Sequence, residues 1–108
     1  MAIFRVGAVG NEPLAAASAF YRYDLPRIVE EVRDHLLLVF PPADHNHRGW
    51  RLAVVQQLAR QFAPIRVNAV ASDDAAAIAA AARYIEDSPA ITGHYLALDG
   101  EGAGLVVA

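Results

Sequence analysis

IRVNAVASDDAAAIAAAARYIEDSPAITGHYLALDG, residues 65–100, decides the fold. It reads as strand, helix, strand. Residues 65–71 are a short run rich in β-branched side chains, which suit a strand. Ser72, Asp73 and Asp74 offer side-chain oxygens to the unpaired amides of a helix start, and residues 75–85 form an alanine-rich helix, alanine being the strongest helix former. Asp87-Ser88-Pro89 ends it. Residues 94–98 are a second apolar strand, closed by Asp99-Gly100.

Upstream the same alternation continues. Residues 3–9 form a first strand bounded by Gly10-Asn11, and Asn11 caps a helix that starts at Pro13. That helix runs over 14–20 and then kinks or restarts at Asp24-Leu25-Pro26, because proline removes a helix hydrogen bond. Ile28, Val29 and Val32 give its second part an apolar stripe. Residues 36–40, LLLVF, are continuously apolar, as a strand covered on both faces should be. The next helix begins in the polar segment 44–47 and runs to about Phe62, with Trp50, Val54, Leu58 and Phe62 on one face beside Val55. Ala63-Pro64 ends it. Four strands alternating with helices over 108 residues imply one α/β domain with a mainly parallel sheet.

Composition narrows the chemistry. Hydrophobic residues make up 56%, above the usual share of about 45–50%, so surplus apolar surface is expected in a subunit interface. A homo-dimer or higher homo-oligomer is expected. The net charge of −3 opposes nucleic-acid binding, which needs a basic face. Cysteine is absent, which removes disulfides, thiolate metal sites and thiol catalysis. All nine cationic residues are arginine, so Schiff-base chemistry has no lysine to use. The N-terminal residues lack the pattern of a secretory signal, and the longest apolar stretch, 75–82, is far shorter than the ~20 residues that span a bilayer. A cytoplasmic protein without membrane contact is expected.

Two segments carry a family resemblance. Ile65-Arg66-Val67-Asn68-Ala69-Val70, preceded by Leu58-Ala59 and Ala63-Pro64, resembles the sixth strand and preceding helix of short-chain dehydrogenases/reductases. Ser88-Pro89, Thr92-Gly93 and Leu96-Ala97-Leu98-Asp99-Gly100 resemble that family's C-terminal element. The resemblance implies a truncated Rossmann-like sheet in the order 1-2-3-4 with helices on both faces, corresponding to the family's C-terminal half. It also implies an unusual left-handed crossover before the last strand, placing the alanine helix opposite the earlier helices. In that family this helix and the last strand form a subunit interface, so Ala75, Ala79, Ala82, Tyr84, Tyr95 and Leu96 are the expected contact residues, with a second copy or a full-length relative as partner.

The departures from the family pattern bear on activity. Its Tyr-x-x-x-Lys pair falls near Asp44 and Arg48 here; a carboxylate cannot replace the proton-donating phenol, and arginine differs from lysine in basicity and shape. No serine follows residues 36–40. Ala71-Ser72 stands where Pro-Gly normally follows the sixth strand, and Asp99-Gly100-Glu101 where the family has Asp-Gly-Gly. No catalytic residue, cofactor site or metal site is therefore assigned.

Other features have plain alternatives. Gly7-Ala8-Val9-Gly10 has two glycines rather than the three of a dinucleotide loop, and Glu12 would oppose a phosphate, so a tight turn is the better reading. Asp44, His45 and His47, with Ser72, could line a ligand pocket at the strand ends; His-x-His spacing also suits zinc, but structural zinc usually takes four protein ligands. Capping by Asp44 or Asn46 explains the same residues. Asp73-Asp74 matches the helix dipole. Phe20, Tyr21, Arg22 and Tyr23 read as core or interface.

Overall fold

The computed structural model describes residues 1–7 and 11–98. Four strands, β1 (Ala2–Arg5), β2 (Leu36–Phe40), β3 (Val67–Ala71) and β4 (Tyr95–Ala97), form one sheet in the order β1-β2-β3-β4. All three pairings are parallel, with Leu38 opposite Phe4 and Ala69, and Ala69 opposite Tyr95. The two inner strands are buried along their whole length, which is why they read as uninterrupted apolar runs.

Helices α1 (Pro13–Ala19), α2 (Leu25–Glu31) and α3 (Arg48–Phe62) cover one face, where Phe20, Ile28, Val54, Val55 and Leu58 pack on Leu36, Leu38, Phe40, Val67 and Ala69. Helix α4 (Ala75–Glu86) covers the other, placing Ile78, Ala81, Ala82 and Ile85 on Leu37, Val39 and Val70. The alternation of side chains along each strand separates the two sets. Because the sheet advances in one direction throughout, a connection on the opposite face must have the opposite hand.

Several boundaries differ from the sequence expectation. β1 spans four residues rather than seven; Val6 still donates to the Val39 carbonyl at 2.8 Å, and residues 8–10 lie outside the described part. β4 is likewise trimmed to three residues, and Asp99, Gly100 and Glu101 lie outside. Glu12, not Asn11, caps α1: its two carboxylate oxygens accept from the amides of Leu14 at 3.1 Å and Ala15 at 2.9 Å. No break separates α1 from α2. Residues Phe20–Asp24 form a π-helical turn in which the Leu25 amide reaches back to the Phe20 carbonyl. Widening the turn lets the chain stay helical where Pro26 lacks an amide hydrogen.

At the other end of the chain, Asp74 caps α4 by accepting from the Ala76 amide at 3.0 Å. Arg66 closes that helix's far end, its Nη1 donating to the carbonyls of Ile85 and Ser88 at 3.0 and 3.1 Å. No described helix is long and apolar enough to cross a membrane.

Candidate functional site

The carboxyl ends of β2 and β4 meet the start of α3, where open α/β sheets keep their ligand sites. After β2, Pro41-Pro42-Ala43 leads to Asp44, whose Oδ1 accepts from the Asn46 amide at 3.0 Å and starts a short 3-10 turn, His45–His47, running directly into α3. Capping thus occupies part of Asp44.

His47 is buried and fully engaged. The indole N–H of Trp50 can only donate, so His47 Nδ1 accepts it, at 3.1 Å. The proton therefore sits on Nε2, which donates to the Asn11 carbonyl at 3.0 Å. Both ring nitrogens are spent tying α3 to the loop before α1, so His47 is not a pocket residue. Ser72 is also corrected: it is buried, and its Oγ accepts from the Asp74 amide at 3.0 Å within the α4 cap. Among the described residues, no group of three or more histidine or carboxylate side chains could hold a metal ion. His45 remains exposed. With Asp44, Arg48 and Tyr95 it lines a cavity of about 330 Å³ whose far wall includes Ala97.

Behind that cavity lies a residue the sequence reading did not single out. Arg51 is 2% exposed, and its guanidinium carbon stands 4.6 Å from the centre of the Phe40 ring and 5.6 Å from that of Trp50. Its Nη1 donates to the Pro41 carbonyl at 2.9 Å and to the Tyr95 hydroxyl at 3.2 Å, while Nε has no partner among the described residues. A buried cation is costly unless something replaces its water. Two aromatic faces and two oxygens do so here in place of a carboxylate. The signal was available: Arg51, Val54, Val55 and Leu58 fall at i, i+3, i+4 and i+7, the spacing of one inward helix face. Arg66 and Asn68 were also missed as organisers. Asn68 donates to the Ile91 carbonyl and accepts from the His94 amide, both at 3.0 Å, so β3 shapes the loop that leads into β4.

The expected contact residues divide between the two sides of their elements. Ala75, Ala79 and Tyr84 are exposed on α4, Tyr84 at 57%. Ala82, 9% exposed, packs against the sheet, and Tyr95, 6% exposed, turns into the aromatic core because it shares the face of Ala69. Neither offers a contact surface. Leu96 is half-buried beside α4. Phe20 belongs to the core, whereas Tyr21 and Tyr23 are exposed, with Arg22 lying over the Tyr23 ring. Among the described residues, the two carboxylates with shifted acidity lie elsewhere. Burial raises Asp24 against the opposing pull of Arg27, and Asp34 is lowered first by the His35 amide and then by the N-terminal ammonium at 3.3 Å.

The family model described as Short chain dehydrogenase-like protein (SDR-like) matches residues 4–98. The chain belongs to this family of Rossmann-like α/β domains. No curated protein and no solved structure gives a significant match.

Proposed function

We propose that this domain performs no redox chemistry and acts by association, assembling with a second copy of itself through the outer face of α4. The exposed face of that helix carries the reading. Ala75, Ala76 and Ala79 present a flat strip ending at Arg83 and the exposed ring of Tyr84. Small residues let a second helix approach closely, and a tyrosine at the rim supplies apolar area with a polar tip. The missing chemistry supports it. The resemblance puts the slot of the family's proton-donating phenol near Asp44, which spends an oxygen on capping, and that of its lysine near Arg48.

Light scattering across a dilution series tests the proposal. A dimer should dissociate on dilution, and Ala79→Glu, which alters an exposed position, should give a folded monomer. A monomer at every concentration sinks the association reading, and steady NAD(P)H turnover sinks the non-catalytic one.

The cavity beside Asp44, His45 and Arg48 favours a second reading, a small-ligand site; its volume of about 330 Å³ lies at the lower end of ligand pockets. A thermal-shift screen with nucleotides and divalent metals checks it. A shift with zinc that disappears in His45→Ala would move the conclusion to this reading.

A further inference from the structure

A groove of about 700 Å³ runs between α3 and β4, on a part of the surface that the association reading does not use. One bank is the α3 stripe Arg48, Leu52, Gln56 and Arg60; the other is the chain from Thr92 through Gly93 and His94 to Leu96. We propose that this groove binds an extended acidic peptide segment, which adds to the sheet as a fifth strand beside β4.

Three observations converge on that occupant. The first is the outer backbone edge of β4, which ends the sheet among the described residues. The bonds from the Ala69 amide to the His94 carbonyl, at 2.8 Å, and from the Leu98 amide to the Ala71 carbonyl, at 3.1 Å, turn residues 94 and 98 toward β3. In a parallel ladder the intervening residues then aim their own N–H and C=O away. Tyr95 and Ala97 therefore present both groups along the outer edge, the template that strand addition uses.

The second is charge. The groove has Arg48 near one end, Arg60 near the other and His94 between, with no aspartate or glutamate among the described residues of its lining. This stands out in a protein of net charge −3. Arg60 donates to the neutral Gln57 side chain at 2.9 Å, which leaves its charge uncompensated, and neither arginine has a carboxylate partner among the described residues.

The third is length. The two arginines are twelve positions apart on the helix, about 18 Å at the α-helical rise. An extended chain covers that span in about five to six residues. Carboxylates at that separation on one face of a strand would meet both guanidiniums, while a side chain between them rests on Leu52. A compact ligand could reach only one end.

Fluorescence anisotropy with a labelled octapeptide of alternating glutamate and valine tests this on the full chain. Saturable binding that weakens with added salt is expected. Arg60→Glu, which touches this groove and not the cavity beside His45, should weaken it at least about tenfold, as like charges oppose each other across an interface. The same variant should accept a peptide with lysine in place of glutamate, and circular dichroism should show its fold intact. In the bound state the Tyr95 and Ala97 amides should exchange more slowly. Absence of binding, binding indifferent to the Arg60 reversal, or unchanged exchange at Tyr95 and Ala97 would each overturn the proposal. So would finding that Arg60→Glu changes the assembly state instead, because the groove would then be an interface between copies. Ala79→Glu should leave peptide binding untouched, so the two proposals fail separately.

Discussion

The two faces of this sheet are built on different plans. On the face of α1, α2 and α3, the rings of Phe20, Phe40, Trp50 and Tyr95 meet one another at 5.6 to 6.0 Å in tilted and edge-on contacts. On the α4 face, Ala81, Ala82, Ile78 and Ile85 lie on Leu37, Val39 and Val70 without a single ring. Large rings fill space but carry polar handles that need partners, and so this face also holds the buried Arg51 and His47. The alanine face instead holds the buried Asn68, paired with the Ile91 carbonyl and the His94 amide, and its two short side-chain layers bring helix and sheet together directly. The aromatic side is therefore sensitive to lost volume or a lost partner, and the alanine side to added volume.

Phe20→Ala should have the largest effect. The side chain is fully buried among Phe40, Trp50 and Tyr21, and its removal should destabilise the fold by about 3–5 kcal/mol in urea unfolding. Next, Ala81→Leu, on the opposite face, should cost about 1–3 kcal/mol through overpacking, although it adds apolar surface. A neutral or stabilising Ala81→Leu would show that the alanine face is loosely packed, and the contrast would fail. Tyr95→Phe should cost about 1 kcal/mol by taking one acceptor from Arg51. Arg51→Met, which removes the buried charge and keeps much of the volume, should stay within about 1.5 kcal/mol of wild type. A much larger loss would mean that the guanidinium's contacts outweigh its burial.

The smallest effects lie at the two shifted carboxylates and carry opposite signs. Asp24 is raised above its ordinary value of 3.8 by burial, so its ionised form weighs against folding at neutral pH. Asp24→Asn should raise the melting temperature slightly there, and the gap should close as pH falls through the raised value. Asp34 is lowered from 3.8, so its contribution is present above 3.8 and fades as pH falls through the lowered value. Asp34→Asn should lower the melting temperature slightly at neutral pH, most at low salt, and match wild type in strong acid. Thermal melts over an acid series read both.

How far these features could be read in advance depended on whether the cause was local. β2 and β3 were legible because strands covered on both faces need apolar residues throughout, and α4 because its cap, its alanines and its terminator are adjacent in the chain. Even the division of helices between the faces followed from the family resemblance. The errors fell where a distant partner decides. Nothing near Asn11 shows that its carbonyl faces His47, or that Glu12 takes over the cap. The usual habit of arginine hides Arg51, which only the spacing of its neighbours betrays. Tyr95 was expected at a contact surface because the last strand forms a subunit interface in the family, yet strand alternation turns its ring inward onto Phe40.

Arg66 also ties distant parts together. Its guanidinium clasps the last turn of α4 and the first residues beyond it, while its amide donates to His35 Nδ1 at 2.9 Å, where β2 begins. Helix end, irregular loop and strand entrance should therefore open together as one cooperative unit. The loop before β4 would resist proteases far better than its lack of regular structure suggests, and cutting that one side chain short should expose the helix end and the loop to cleavage at once.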